Sequence, residues 1–174
     1  IDHFGEWGEE PGQFIWVTSI AFSSQGELFL ADENNHRITV FGPDNRFIRS
    51  FGGHGNSPGK FDRPSGLAFS SSGDLYVVDT LNHRVQVLTP HGEFKSQWGS
   101  FGDDEGQLNM PWGIALDLAG DIYVTDWRND RVQKFNAFGE FSMAFGSSGD
   151  GEGQFNRPNG VAIDPEGDIY VCDW

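Results

Sequence analysis

The chain has 174 residues, and 26 acidic residues against 11 lysines and arginines give it a formal net charge of −15 at pH 7. Proteins that bind nucleic acid neutralise phosphates with clustered basic side chains, and anionic membrane surfaces attract similar clusters. The composition therefore argues against both partners. No apolar run approaches the ~20 residues of a membrane-spanning helix. The single cysteine, Cys172, has no partner for an internal disulfide, so it indicates no compartment.

A step of 47 residues recurs along the chain. The tripeptide Gly-[Gln/Lys]-[Phe/Leu] begins at residues 12, 59, 106 and 153, and an Asp recurs at residues 32, 79, 126 and 173. The 24 glycines and 16 phenylalanines suit many turns and half-buried strands. A repeat of this length with four short strands predicts a blade of a β-propeller rather than a helical solenoid.

The repeats divide the chain into blades. Residues 1–8 are predicted to end a preceding blade, and further blades are predicted at residues 12–52, 59–99, 106–146 and 153–174, the last with two strands only. In the third blade, strands are predicted at residues 113–116, 122–125, 131–135 and 140–145. The chain holds about 3.7 repeats, whereas closed propellers have ~4–8 blades. We therefore expect an all-β propeller of four-stranded antiparallel blades, present as an incomplete arc whose open edges favour self-association.

Each strand has a composition that suits one position in a blade. The first strand carries a central Ala, which fits the crowded propeller axis. The second strand is apolar on both faces, so it is expected to be buried between neighbouring blades, and Cys172 with it. The fourth strand carries aromatic residues at i and i+4, such as Phe94 and Trp98, which are expected to fill the gap between blades.

The loop between the second and third strands contains the motif Asp-x-x-Asn-x-Arg. A carboxylate, an amide and a guanidinium suggest chemistry, but a set that recurs in every blade is better explained as scaffold. Asp and Asn bond to turn backbone, and Arg pairs with Asp. We therefore predict a structural role for Asp32, Asn35, Arg37, Asp79, Asn82, Arg84, Asp126, Asn129 and Arg131.

Residues 111–135, PWGIALDLAGDIYVTDWRNDRVQKF, resemble the NHL repeat, and the resemblance extends over essentially the whole chain. It implies a β-propeller, commonly of six blades, with binding surfaces on one face. The first blade departs from the pattern because Val17 and Ser19 replace the Pro and Gly of later blades. We expect residues 15–19 to follow a different path. The family name fixes the fold far better than the activity.

Candidate binding residues lie at one end of the blades, called the rim, where the loops between blades meet the loops that follow the second strands. Two rim positions differ between blades: Glu33, Thr80, Trp127 and Trp174 form one series, and Thr18, Ser65, Trp112 and Asn159 the other. Large aromatic residues beside polar groups suit stacking on a sugar, peptide or cation, although they also suit contacts between blades. The predicted ligand-binding residues are Trp112, Trp127, Arg128, Asp130, Arg157, Asn159 and Trp174.

Metal binding and catalysis have weaker signals. His36, His83 and Asp130 occupy equivalent positions and are metal-ligand types, but adjacent blades are expected to hold them too far apart for one ion. The acidic loops between blades, such as residues 102–106, make calcium or another divalent metal a candidate on composition alone. We therefore predict neither a cofactor nor a catalytic residue, since no nucleophile elbow, P-loop or His-Glu-x-x-His motif is present.

The sequence favours a non-catalytic binding or scaffold module that presents its rim loops to a protein, peptide or carbohydrate. Two alternatives remain open. Some propellers that resemble this one are lactonases or lyases with a metal on the channel axis, so the chain is alternatively a segment of a metal-dependent enzyme. It is otherwise an architectural repeat of a larger surface or sensor protein.

Overall fold

The computed structural model describes residues 4–174, and its regular secondary structure is almost entirely β-strand. The predicted end of a preceding blade, residues 1–8, therefore lies partly outside the described residues. The first sheet contains β1 (Val17–Phe22), β2 (Leu28–Asp32), β3 (Arg37–Phe41) and β4 (Phe47–Gly52). The second contains β5 (Pro64–Phe69), β6 (Leu75–Asp79), β7 (Arg84–Leu88) and β8 (Phe94–Trp98). The third contains β9 (Pro111–Leu116), β10 (Ile122–Asp126), β11 (Arg131–Phe135) and β12 (Phe141–Phe145), and the fourth β13 (Gly160–Ile163) and β14 (Ile169–Cys172).

All neighbouring strands within a sheet are antiparallel and follow chain order, as in a propeller blade. The first strands of the four sheets, β1, β5, β9 and β13, contact one another in sequence and form the inner wall of the arc. The all-β propeller prediction and the 47-residue blade period are thereby confirmed. Two short 3-10 helices follow the second strands of the middle blades, at Thr80–Asn82 and Trp127–Asn129. Within residues 4–174, no helix has the length and apolarity needed to cross a membrane.

Close contact between the inner strands explains two glycines. A Cβ atom on Gly66 would lie 2.6 Å from the carbonyl oxygen of Trp112, and one on Gly113 would collide with the carbonyl oxygen of Asn159. Ser19 occupies this position in the first blade, where its hydroxyl accepts the Leu67 N–H at 3.1 Å. The inner strand of the first blade keeps the register of the others, because Val17 pairs with Asp32 as Pro64 pairs with Asp79.

The expected different path of the first blade is therefore limited to the loop before β1. Glu33 donates its N–H to the carbonyl of Trp16, whereas the corresponding bond of the next blade runs from Leu81 to Asp62. The N–H groups of both Ile15 and Trp16 point to Oδ1 of Asp32, at 3.1 and 3.2 Å. The substitution of Pro and Gly thus shifts hydrogen bonds by one residue without moving the strand.

Buried side chains lie mainly between the blades. One cluster joins the first and second blades through Phe29, Ile38 and Leu75, and another joins the second and third through Val78, Ile122 and Phe135. In the first two blades, the second aromatic residue of the fourth strand reaches the next blade: Phe51 lies against Gly92, and Trp98 against Gly139. The first aromatic residues of these two strands, Phe47 and Phe94, stay partly exposed, so only half of each of these two pairs fills the gap between blades.

The outer faces of the two end sheets are exposed. Ile20 is 58% exposed, whereas the equivalent Leu67 and Ile114 are 6% and 7% exposed against neighbouring strands. Cys172 was expected in the core, but it is exposed on the two-stranded sheet. Its counterparts in β2, β6 and β10 are buried because a third strand and a following blade cover them. The prediction for Cys172 is therefore wrong for this chain.

Candidate functional site

The repeated polar residues form a buried clamp behind the second strand of the second blade. Oδ1 of Asp79 accepts the Asp62 N–H at 2.7 Å, and Oδ2 accepts Arg84 Nε at 2.7 Å and Gln86 Nε2 at 3.0 Å. Asn82 Nδ2 bonds to both carboxylate oxygens. We call Asp79, Asn82, Arg84 and Gln86, together with their equivalents in other blades, the polar clamp. The Asp79 carboxylate is fully buried, and its hydrogen bonds to these donors are all internal to the chain, which fits the predicted structural role.

The clamp also fixes the loop that leads into its own blade. The guanidinium of Arg84 donates to the carbonyl oxygens of Asn56 and Lys60 at 2.8 and 3.0 Å. In the third blade, Arg131 donates in the same way to the carbonyls of Asp103 and Asp104. Two backbone oxygens of the acidic loop at residues 102–106 are therefore already engaged by a cation of the chain, which reduces what this loop offers to calcium.

The clamp of the first blade is looser than the others. The distance between Arg37 Nε and Asp32 Oδ2 is 3.8 Å, against 2.7 and 2.8 Å in the next two blades. Thr39 replaces the Gln, and its hydroxyl has no hydrogen-bond partner among the described residues. Repetition of the sequence motif thus does not guarantee equal geometry.

A second repeated contact joins neighbouring blades at the rim. Nδ1 of His36 accepts the Arg63 N–H at 3.0 Å, Nδ1 of His83 accepts the Met110 N–H at 3.1 Å, and Oδ1 of Asp130 accepts the Arg157 N–H at 2.8 Å. The three donors have φ values of 56°, 53° and 61°, in the left-handed region. Burial lowers the pKa of His36 and of His83, which favours the neutral imidazole that accepts a bond. His36, His83 and Asp130 therefore lie at three separate junctions and do not meet at one ion.

Hydroxyl groups bridge the inner strands, but the third blade uses a different strand for this contact. Thr18 Oγ1 donates to the Ser65 carbonyl at 3.2 Å, and Ser65 Oγ donates to the Trp112 carbonyl at 2.7 Å. Trp112 occupies the same position in the third blade and has no hydroxyl. There, Thr125 of the second strand donates to the Asn159 carbonyl at 3.0 Å instead. Because Thr125 makes this bond, the side chain at position 112 is not needed for the contact with the next inner strand.

Trp112 lines a cavity of about 300 Å³ on the inner side of the arc. The other wall residues come from the same ends of the four inner strands and have small, hydroxyl, amide or aliphatic side chains. Asn159 contributes to this wall, and its side-chain oxygen lies 2.6 Å from the Gly160 nitrogen. The cavity lining consists of Thr18, Ser19, Ser65, Gly66, Trp112, Gly113, Ile114, Asn159, Gly160 and Val161.

Two arginines lie over the ring of Trp127. The guanidinium carbons of Arg128 and Arg157 are 4.8 and 5.2 Å from the ring centroid, within the range of cation–π contact. Among residues 4–174, these are the two arginines that have no carboxylate within 4.0 Å. We call Trp127, Arg128 and Arg157 the rim platform. Asp130 positions it by holding the backbone of Arg157.

Trp174 takes no part in the cation–π contacts of the rim platform. Its side chain is 77% exposed, and its N–H donates to the Asn156 carbonyl at 3.1 Å. Glu33 and Thr80, at the equivalent position, instead contact neighbouring blades: Glu33 lies 3.3 Å from Arg63, and Thr80 bonds to the Pro111 carbonyl at 2.9 Å. Burial raises the pKa of Glu33, while Arg63 acts in the opposite direction.

A group of metal-ligand types that the sequence did not single out lies at the first junction. His36, His54 and Asp62 place one ligand atom each within 4.8 Å of one another. His54 stood in a loop without a motif. The one signal in the sequence was that His54 and Asp62 differ from their equivalents in the next repeat, which are Phe101 and Asn109.

Comparison with known families decides the assignment of the fold. The model of the NHL repeat matches residues 14–41, 61–88, 108–135 and 155–174, which together make up more than half of the chain. The chain belongs to the NHL-repeat family. Each match begins before a first strand and includes the second strand, which places the polar clamp within the NHL repeat.

Two curated proteins share a stretch of NHL-repeat sequence with this chain. B-box type zinc finger protein ncl-1 of Caenorhabditis elegans is 48% identical over 44 residues, covering 25% of this chain and 5% of that protein. Protein brain tumor of Drosophila melanogaster is 43% identical over 44 residues, covering 25% and 4% respectively. The NHL-repeat chain thus spans only a small part of these relatives.

Solved structures share the fold at low sequence identity. A streptogramin B lyase structure matches with a TM-score of 0.72 and 19% identity, covering 99% of the NHL-repeat chain and 51% of that protein. A gluconolactonase of Xanthomonas campestris matches with a TM-score of 0.69 and 15% identity, covering 92% and 55%. The chain spans about half the length of these structures, and the likeness establishes the fold alone.

Proposed function

We propose that this NHL-repeat chain is a non-catalytic binding module whose rim platform binds a protein or peptide segment that carries carboxylate side chains. The observation that supports this most strongly is that Arg128 and Arg157 have no carboxylate partner among residues 4–174, although the net charge of the chain is −15. Guanidinium groups bind carboxylates in bidentate fashion, and the contact with Trp127 holds both groups in place beforehand.

The net charge does not prevent such binding. Charges on the remainder of the surface are screened beyond about 8 Å at physiological ionic strength. The two guanidinium groups would meet a carboxylate at contact distance, where screening is weakest. The rest of the acidic surface opposes nonspecific attachment, so that specificity depends on the platform.

The same geometry makes a carbohydrate a less suitable ligand. A sugar stacks on a free aromatic face, whereas both guanidinium groups occupy positions over Trp127. The nearby cavity presents Trp112 but, among the described residues that line it, no carboxylate, imidazole or thiol. Acid–base catalysis needs such a group within hydrogen-bond reach. An enzyme built on this arc would need it from blades outside this chain.

Nuclear magnetic resonance of the tryptophan indole groups tests the proposal. We expect the indole N–H signal of Trp127 to shift with a capped peptide that has three glutamates between two tyrosines, and not with the matching glutamine peptide. The double variant R128Q/R157Q should weaken binding at least tenfold, whereas R46Q, at an exposed arginine paired with Asp44, should not. Equal binding of both peptides, or unchanged binding by the double variant, would contradict the proposal.

We also infer that the exposed end sheets cause copies of this chain to associate. Ile20 and Tyr170, on opposite end sheets, are 58% and 59% exposed, and apolar surface of this kind is buried between interior blades. Sedimentation velocity should show concentration-dependent dimers or larger species, and Ile20→Glu should reduce them. A monomer at all concentrations would refute this inference.

A further inference from the structure

Three side chains at the junction between the first and second blades have the spacing of a metal site. Nδ1 of His36 lies 3.3 Å from Oδ1 of Asp62, and Nε2 of His54 lies 3.7 Å from Oδ2 of the same carboxylate. Ligands bound ~2.0–2.1 Å from a tetrahedral ion are about 3.3 Å from one another. These two distances are therefore close to those of a pair of coordinated ligands, and one ligand atom from each of the three side chains lies within 4.8 Å of the others.

We propose that His36, His54 and Asp62 bind a divalent transition-metal ion such as Zn²⁺. Two imidazoles and one carboxylate are a donor set that such ions take, with a fourth position left for water. The side chains of His36 and Asp62 are 24% and 27% exposed, and that of His54 is 69% exposed. The ion can therefore reach the ligands from solvent, while two of them are held by surrounding protein.

The equivalent positions of the other junctions lack this donor set. At the second junction the residues are His83, Phe101 and Asn109, and at the third they are Asp130, Ser148 and Asn156. The rings of Phe101 and His83 pack edge to face with a centroid distance of 4.9 Å, much as those of His54 and His36 do at 4.6 Å. The scaffold therefore accepts Phe where the first junction has His54. The fold of the blades therefore does not require His54 and Asp62 at the first junction.

The ion would connect three segments: the loop after β2 with His36, the loop between blades with His54, and the segment before β5 with Asp62. It would also compete for Nδ1 of His36, which now accepts the Arg63 N–H at 3.0 Å. We therefore expect weaker binding than at a closed structural zinc site. Because the three segments converge only in the folded chain, binding would raise the resistance of the chain to unfolding.

Calorimetric titration with ZnCl₂ and absorption spectroscopy with Co²⁺ test the proposal. We expect one ion per chain, a four-coordinate Co²⁺ spectrum and a higher thermal midpoint with Zn²⁺. H54F and D62N, which copy Phe101 and Asn109 of the next junction, should each weaken binding at least tenfold, and H91N, at an exposed histidine elsewhere, should not.

Circular dichroism of H54F and D62N without metal verifies that each variant is folded, and either folded variant suffices for the test. Wild-type affinity in the folded variants would overturn the proposal, as would a wild-type chain that binds no Zn²⁺ at millimolar concentration. Loss of binding in H91N alone would also overturn it, because the ion would then lie elsewhere.

Discussion

The polar clamp of the second blade and the rim platform of the third lie at the same end of adjacent blades, yet their polar groups are used in opposite ways. In the clamp, the carboxylate of Asp79 is buried and receives bonds from Asn82, Arg84 and Gln86. In the platform, Arg128 and Arg157 lie over Trp127 and have no carboxylate partner among the described residues. Charged groups that are satisfied internally maintain the blade, and those left unsatisfied are available to a ligand.

The inner strands show the same contrast. The hydroxyl of Ser65 hydrogen-bonds to Thr80 and to the Trp112 carbonyl. In the third blade, Thr125 makes the corresponding bond to the next inner strand, so the residue at position 112 does not have to make it. A large aromatic side chain can therefore occupy position 112 without leaving the neighbouring blade unbonded. In the third blade, the second strand makes the contact to the next inner strand that the first strand makes in the second blade.

Removal of the clamp carboxylate should have the largest effect. Asp79→Ala leaves the buried guanidinium of Arg84 without its partner, which costs about 3–5 kcal/mol of unfolding free energy. Asp32→Ala is the matched control, because the looser pair in the first blade, with 3.8 Å between Arg37 Nε and Asp32 Oδ2, should lose less. Urea unfolding followed by circular dichroism measures both. Equal losses would mean that the two clamps are equivalent despite their geometry.

A smaller effect is expected from the junctions between blades, and it should appear in acid. The lowered pKa of His83 means that the unfolded chain takes up its proton first as pH falls below about 6.5. The stability that neutral His83 provides is therefore complete above that pH and is lost as pH falls through the folded-state pKa. Protonation removes the acceptor for the Met110 N–H, worth about 1 kcal/mol.

His83→Asp, which copies Asp130 of the next junction, should reduce this loss. Burial lowers the pKa of His83, whereas the charges of Asp126 and Asp79 act to raise it. Because these carboxylates are present in both chains, the variant and the wild type are compared under identical conditions. Thermal midpoints between pH 7.5 and pH 5.0 provide the measurement, since the other histidines are common to both chains. A variant that loses as much stability as wild type would show that His83 is not the sensitive group.

The blades could be predicted from sequence because their determinants are local. Alternation of apolar residues, turn glycines and the recurring Asp identify each strand within a few residues, as for β10 and β11. The clamp was also predictable, because Asp79, Asn82 and Arg84 lie within one loop and the strand that follows it. Repetition itself is the reason that we predict a structural role for these residues.

Contacts between blades were less accessible from sequence. The transfer of the inner hydroxyl from position 112 to Thr125 depends on which atoms face the next blade, and the two positions lie on different strands. His54 and Asp62 meet His36 only because a connecting loop folds back over the junction. The burial of Cys172 was mispredicted because burial of a second strand depends on a third strand beside it, which β14 lacks in this chain.

The most direct test of the contrast between scaffold and rim is a comparison of Trp112→Ser with Ser65→Ala. Ser65 is 1% exposed, and loss of its hydroxyl leaves buried partners unsatisfied, which costs about 1–3 kcal/mol. Trp112→Ser keeps the bridge between Thr125 and Asn159 intact, so urea unfolding should show a smaller loss than for Ser65→Ala. A larger loss, of the about 3–5 kcal/mol typical when a buried Trp is truncated, would show that Trp112 belongs to the core and contradict the account.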